Sequence, residues 1–447
     1  MSQVLDQGAR ALAGRSEWYL DEFARRIQAH ELDGPSWLRE LRGRSIVAFG
    51  RTGFPTTRDE EWRFTPIAPI ADTEFVAAEP LHLSPGDLAS WTYGAEAAAE
   101  LVFVNGVFMP ALSRVDGLPA GLEVGSLAVM LGAGGSALEE AFGRVAGAEG
   151  APFAALNTAF VEDGAYVRVR RHAVIERPVH VLFYSTVSGA PSLSHTRLLV
   201  VAEEHSEVRL VETYAGAAGQ RYFTNAVSEF IAGDRSIVDH YRLQRESRSA
   251  YHVGSMQLRT GRETVFTSHN LALGGLIARN DIGAVLGGEG GDTTLNGLYL
   301  AEGAQLVDNH TAIDHALPHN GSHEVYKGIL GGRARGVFNG KIIVRPDAQK
   351  TDAKQTNKAL LLSGDAQINT KPQLEIFADD VKCTHGATVG QLDPEMLFYL
   401  RARGLGAHEA RGLLIRGFAG DVVNRVKFAP LRDRLEAVLA NELPREG

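Results

Sequence analysis

What the chain has least of is cysteine: one, Cys383, among 447 residues. A single thiol excludes an internal disulfide, and it excludes an iron-sulphur cluster held by four cysteines of this chain alone. Long apolar runs are missing too. The longest conspicuous uncharged stretch, Val124 to Leu138, is too short and too rich in glycine to cross a membrane. Residues 1 to 30 scatter Asp6, Arg10, Arg15, Glu17, Asp21, Glu22, Arg25 and Arg26 among their apolar residues, so no h-region for export is present. Basic residues are outnumbered, 45 Lys and Arg against 54 Asp and Glu, which argues against a general binder of nucleic acid or of an anionic membrane. The chain reads as cytoplasmic. Catalytic signatures are absent as well. Gly336-Val-Phe-Asn-Gly-Lys-Ile342 is one residue short of a phosphate loop and has Ile342 where a magnesium-binding hydroxyl belongs. No Gly-x-Ser-x-Gly elbow, His-Glu-x-x-His pair or dinucleotide fingerprint occurs.

What is present is length and pattern. With 44% hydrophobic residues the chain can bury a substantial core, enough for two or three domains. Leu20, Phe23, Ala24 and Ile27 fall at helical spacing, and Pro35 opens a second helix through Trp37, Leu38 and Leu41. Residues 1–100 read as a helical region. Leu101-Val-Phe-Val and Val107-Phe108 flank Asn105-Gly106, the pattern of a two-residue hairpin turn, and open a mixed segment over 101–159. Over 160–391 short β-branched runs, such as Tyr166-Val-Arg-Val169 and Lys341-Ile-Ile-Val344, alternate with turns rich in Gly, Asp and Pro. Runs of three to five residues at roughly regular spacing favour a parallel β-helix over a sandwich or barrel. After Gly390 the pattern turns helical: Asp393 is placed to cap, Pro394 suits the first helical position, and Gly404 stops the helix. A second helix carries Ala410, Leu414, Phe418 and Val422 every fourth residue, and 392–447 reads as a helical domain whose stripe packs internally or docks a partner.

The chemistry-bearing stretch is Thr370 to Gly390. If its end is a strand, Val381, Cys383 and His385 share one face, with Lys382 and Thr384 on the other. One sulfur and one imidazole make half of a four-coordinate shell, so a second chain or a bound cluster would have to complete it. Lys382 and a protonated His385 would favour the thiolate. Against this stands the commoner role of a lone cysteine, a small buried hydrophobe. His310, His315, His319 and His323 form a second cluster, the basis of an alternative reading as a stand-alone metal-binding β-helix enzyme. Pro318 and Asn320-Gly321 break any helical register between them, so on strands and turns these side chains should diverge.

Several segments together resemble the SufB/SufD family: Asp308-Asn-His-Thr311, Tyr326-Lys-Gly-Ile-Leu330, Val337-Phe-Asn-Gly-Lys341, Gln355-Thr-Asn357, Thr370-Lys-Pro-Gln-Leu-Glu-Ile376, Ala378-Asp-Asp-Val-Lys-Cys-Thr-His-Gly386 and Leu397-Phe-Tyr-Leu-Arg401. The match is dense over 290–420 and sparser at Trp62-Arg-Phe-Thr65, Phe103-Val-Asn-Gly106 and Ala155-Leu-Asn-Thr-Ala-Phe160. Having one cysteine, the chain is more similar to the SufD branch than to the SufB branch. The resemblance implies a right-handed parallel β-helix flanked by helical domains, and a non-catalytic scaffold subunit in iron-sulphur cluster assembly. It implies a SufB-like partner at the β-helix end and a SufC-like ATPase on the C-terminal helices. It also implies His385, with Cys383 beside it, facing a transient nascent cluster shared with SufB. A flavin on the complex and a homodimer of the isolated chain stay open.

Overall fold

The computed structural model describes residues 16–79, 81–133 and 136–441. Its centre is a parallel β-solenoid of about eight turns over residues 165–390, built from two facing sheets. Each turn contributes one strand to each sheet. In the second sheet Glu207 pairs with Ile237, Ile237 with Val265, Val265 with Asp292, Asp292 with Gly321, Gly321 with Asp352 and Asp352 with Lys382. The repeat is therefore about 30 residues, although the sequence carries no strict repeat.

Most strands are longer than the short apolar runs indicated. Ile277–Leu286, Leu306–His315, Gly321–Leu330 and Arg335–Val344 each span 10 residues. The difference has a physical cause: many inward positions are polar, so a strand such as Gly321–Leu330, with Ser322 and Glu324 buried, looks broken when only apolar residues are counted. Aromatic and aliphatic side chains such as Phe230, Leu258, Phe266 and Ile313 fill the remaining interior. Burial of each contributes about 1.5–3 kcal/mol. Turns stack as closely as strands. Gly288 lies directly on the backbone of Gly261 one turn away, where a Cβ would overlap it.

The two ends of the solenoid differ. At the start, Ala99–Val104 lies parallel to Val174–Ser185, then turns through Asn105 (φ 53°) and Gly106 (φ 85°) into Val107–Phe108, the expected hairpin. Leu122–Ser126 runs antiparallel to Ala165–Val169 and closes the first sheet. The segment expected as a mere connection is thus the solenoid's cap. Helix 16–28, the Ser36–Thr52 helix and the wholly buried Pro152–Phe160 helix pack beside it through Tyr19, Phe49, Leu156 and Phe160. At the other end, Gln367–Ile376 and Lys382–Gly390 are the last strands of their sheets, and neither has a further neighbour among the described residues.

Three helices follow, at Pro394–Ala402, Ala407–Val423 and Ala429–Asn441. Asp393 caps the first, accepting the Glu395 N–H at 2.8 Å, and Gly404 takes a left-handed φ of 93° after it, as the sequence indicated. The remainder of the helical region expected over 392–447, residues 442–447, lies outside the described residues, as do residues 1–15.

Candidate functional site at the open end of the solenoid

The last strand takes its orientation from the one beneath it. In Asp352–Leu361, Ala353, Gln355, Asn357 and Ala359 are buried and alternate with more exposed neighbours. Register places Cys383, His385, Ala387 and Val389 directly over those four. Cys383 and His385 therefore share a face, and it is the face that looks into the solenoid interior. Lys382 and Thr384 lie on the other. Among the described residues no further turn covers His385, which is exposed, while Cys383 is half-buried.

Cys383 does not sit in an electropositive niche. It packs against Ile342, Val344, Ala348, Ala353 and Ala378. Burial pushes its thiol up from the ordinary range; a backbone hydrogen bond with Ala353 opposes this and the Asp352 carboxylate adds to it. The expected activation by Lys382 and His385 is thus overturned by the apolar floor under the sulfur. Among the described residues no group of three or more His, Cys, Asp or Glu converges to hold a metal, so a metal at Cys383 and His385 would need donors beyond the described residues.

Below the end, the interior is striped. One column runs Val238, Phe266, Thr293, Ser322, Ala353, Cys383; the next runs His240, Ser268, Leu295, Glu324, Gln355, His385. A third runs Glu212, Arg242, Asn270, Gly297, Tyr326, Asn357, Ala387. Cross-lumen hydrogen bonds tie it to the first sheet: Asn270 donates to Asn309 at 3.1 Å and Asn357 to Thr370 at 2.9 Å. At its base Glu212 accepts from Ser228, at 2.5 Å, and is bonded to His240, at 3.0 Å. Burial alone would raise its carboxyl, but Arg242, His240 and Ser228 hold it down at about 2. Counting apolar runs gives no signal for Glu324 and Gln355 as interior residues, because both are polar.

The 310–323 histidines do not meet. His310 lies on the outer face of the first sheet between Asp308 (3.0 Å) and Glu61 (3.1 Å). His315 is buried, with Nε2 at 2.9 Å from the Ser322 hydroxyl, and burial lowers it to about 4. His319 occupies an exposed turn at φ 61°, and His323 faces solvent from the second sheet. The alternative reading as a metalloenzyme built on this cluster is therefore set aside: alternation and a turn send the four rings to different surfaces. His310 instead belongs to a latch. The loop around Trp62, which showed no chemistry in sequence, is fixed to the solenoid by Thr65 donating to Asp308 (2.5 Å), by Arg279 over the Trp62 ring (3.7 Å) and by Asn339 donating to Glu61 (3.0 Å).

Comparison with known proteins agrees with this architecture. The family model for the SufBD core domain of the SUF system for FeS cluster assembly matches residues 183–418, and that for the SufBD protein N-terminal region matches 14–181. An iron-sulfur cluster assembly SufBD family protein of Synechocystis is 34% identical over 394 residues, covering 86% of this chain and 87% of the relative. The iron-sulfur cluster assembly protein SufD of Escherichia coli is 30% identical over 398 residues, covering 88% and 90%. The chain belongs to the SufBD family.

For a SufBD-family chain the C-terminal helices bear on where a partner could dock. Of the stripe through Leu414, Phe418 and Val422, Val422 is buried within the chain, Phe418 packs half-buried beside it, and Leu414 belongs to no buried cluster. Ile415, Ala419, Val422 and Val423 lie on Leu243, Leu271, Leu298, Ile329 and Leu360 of the second sheet. Leu431, Leu435 and Val438 extend the contact. The unpartnered apolar surface is elsewhere. The Pro394–Ala402 helix buries none of its residues and exposes Met396, Tyr399 and Phe398, the last at 75%. No helix of the described residues is long and apolar enough to cross a membrane.

Proposed function

We propose that this SufBD-family chain is a SufD-type scaffold subunit, without catalysis of its own, in a cytosolic SufBCD complex for iron-sulphur cluster assembly. The observation that carries the reading is the uncapped solenoid end, where two last strands leave their outer edges open and His385 stands uncovered on the interior face. An open parallel edge is a template for strands of another chain. A SufB-like subunit stacked there would cover His385 and bring the missing donors. His385 is the proposed ligand or iron-handling group for the nascent cluster, which is cargo shared across the interface. Cys383 lies beside it with a thiol that burial keeps protonated, so it joins as a ligand only once metal displaces its proton.

Domain roles follow the same reading. The end of the 160–391 core pairs with the SufB-like chain, and the 392–447 region docks the SufC-like ATPase through the exposed side chains of Met396, Phe398 and Tyr399. The 1–100 and 101–159 regions close the opposite end. The test is co-expression of the full chain with its SufB-like and SufC-like partners. The His385→Ala complex should assemble normally and lose most of its iron during reconstitution, with Cys383→Ala as comparison. Wild-type iron retention would remove His385 from the site; failure to assemble would make it structural.

A further inference from the structure

Glu324 is a buried acid that nothing in the family reading uses. It is 1% exposed, on the column that ends in His385, with Leu295 one turn below and Gln355 one turn above. Gln355 Nε2 donates to its Oε2 at 2.7 Å, and Gln355 in turn reaches across the lumen to Gly340, where a Cβ would overlap the amide nitrogen. Glu324 Oε1, Gln355 Oε1, the Tyr326 hydroxyl and Asn357 Oδ1 make no well-aligned hydrogen bond, although the Thr311 side chain lies beside Glu324 and that of Asn270 beside Tyr326. These four atoms belong to the two turns beneath the open end. Buried polar atoms are satisfied in folded proteins by a partner or by ordered water, and these unsatisfied atoms lie on the two turns between Leu295 and the uncovered end.

We propose that Glu324 is a proton-exchange site, a carboxyl that trades its proton with solvent through the open end of the lumen and serves the ligands at that end. The groups facing it are Leu295 from the turn below, Thr311 from across the lumen, Gln355 from above and Tyr326 on its own strand. No Lys, Arg or His forms an ion pair with it among the described residues. A carboxylate so placed lacks the cation that normally makes burial tolerable. Burial accordingly pushes it up to about 7, against the Gln355 hydrogen bond and the neighbouring Thr311 hydroxyl. The rest of the interior shows the contrast, since Glu212 has Arg242 and His240 and stays ionised. The purpose assigned here rests on the proposed cluster site. Metal binding by a thiol or imidazolium breaks one S–H or N–H bond and releases a proton. Water carries it to the carboxylate of Glu324, where an O–H bond forms, and the reverse transfer returns it when the cargo leaves.

Infrared spectroscopy of the full chain tests this. At pH 6 a protonated carboxyl C=O band should be present and absent in Glu324→Gln. It should fade as the pH is raised through neutrality, and in D2O it should shift within the mixing time. An unchanged spectrum in Glu324→Gln removes the acid, and a band that takes hours to shift removes the open path. The exchange experiment with 13C-labelled glutamate needs no variant, so it decides the matter even where Glu324→Gln folds poorly. Failure of the cluster reading is distinguishable: normal iron retention by the His385→Ala complex removes the cluster site while leaving the Glu324 band in place, and a missing band leaves the iron result untouched.

Discussion

Lys327 places its ammonium 2.8 Å from the backbone carbonyl oxygen of Phe418 and 4.6 Å from the centre of the Phe418 ring, joining the second sheet to the Ala407–Val423 helix. Asp421 completes the cage, and its carboxyl is held below the usual range chiefly by the hydrogen bond from Lys327. Lys327→Met keeps the stem and removes the charge, leaving the carbonyl without its donor. We expect a loss of about 1–3 kcal/mol, read as a lower denaturation midpoint, with helix 407–423 exchanging amide hydrogens faster than the solenoid. Equal protection of the helix in the unmodified chain and in Lys327→Met would show that the apolar contact alone holds it.

That contact changes what truncation means. Because Ile415, Ala419 and Val422 cover apolar residues of the second sheet, removing 393–447 uncovers Leu243, Leu271, Leu298 and Ile329. The truncated chain should aggregate, so lost ATPase binding in it would be uninformative. Phe398→Glu with Tyr399→Ser is the sharper experiment: the free chain should melt as wild type and capture of the ATPase should fall at least tenfold. Undiminished capture would move the docking face elsewhere.

The latch at the Trp62 loop should depend on pH. Burial works against protonating His310, but the Asp308 charge and the hydrogen bonds of Asp308 and Glu61 outweigh it and raise the ring to about 9. A raised pKa means that the stabilisation is complete below the unfolded value of about 6.5 and is lost as pH climbs through about 9. Proteolysis within residues 56–66 should therefore accelerate between pH 7 and 9.5. In His310→Gln the rate should be higher at pH 7 and the pH step should vanish; a persisting step would assign it to another group.

Cys383 should be a slow thiol. Its packing on Ile342 and Ala353 disfavours the thiolate, so iodoacetamide at neutral pH should label it more slowly than a free cysteine. Labelling as fast as a model thiol would mean that the apolar floor opens in solution.

Ala387 tests the end surface directly. It lies over Asn357, and among the described residues no strand lies above it. Ala387→Arg should leave the free chain's stability within about 0.5 kcal/mol and abolish co-purification of the SufB-like partner. Retained pairing would place the interface away from this edge.

The solenoid was legible in the sequence because turn residues recur between β-branched runs, and the common face of Cys383 and His385 followed from strand alternation alone. Strand lengths and interior composition were not legible. Hydrophobic periodicity assumes an oily inside, and this lumen carries Glu212, Arg242, Asn270, Glu324 and Gln355 at inward positions, where alternation cannot tell interior polar residues from surface ones. The helical stripe at Leu414, Phe418 and Val422 posed the opposite difficulty: periodicity identifies an apolar face but says nothing of which surface it meets. The Trp62 latch was invisible because its partners, Arg279, Asp308 and His310, are more than 200 residues away in the chain.

Capping at one end only gives the molecule a polarity of growth. Each turn copies its register from the one before, and the last turn still offers that register to whatever arrives, a partner or a second copy of the same chain. Encounters between identical ends scale with the square of the unpaired concentration, whereas pairing with a partner scales with the product of the two. With a partner of the proposed kind at this end, chain made in excess of it would have only a second copy left to meet, and synthesis of the two in equal amounts would keep the exposed end covered.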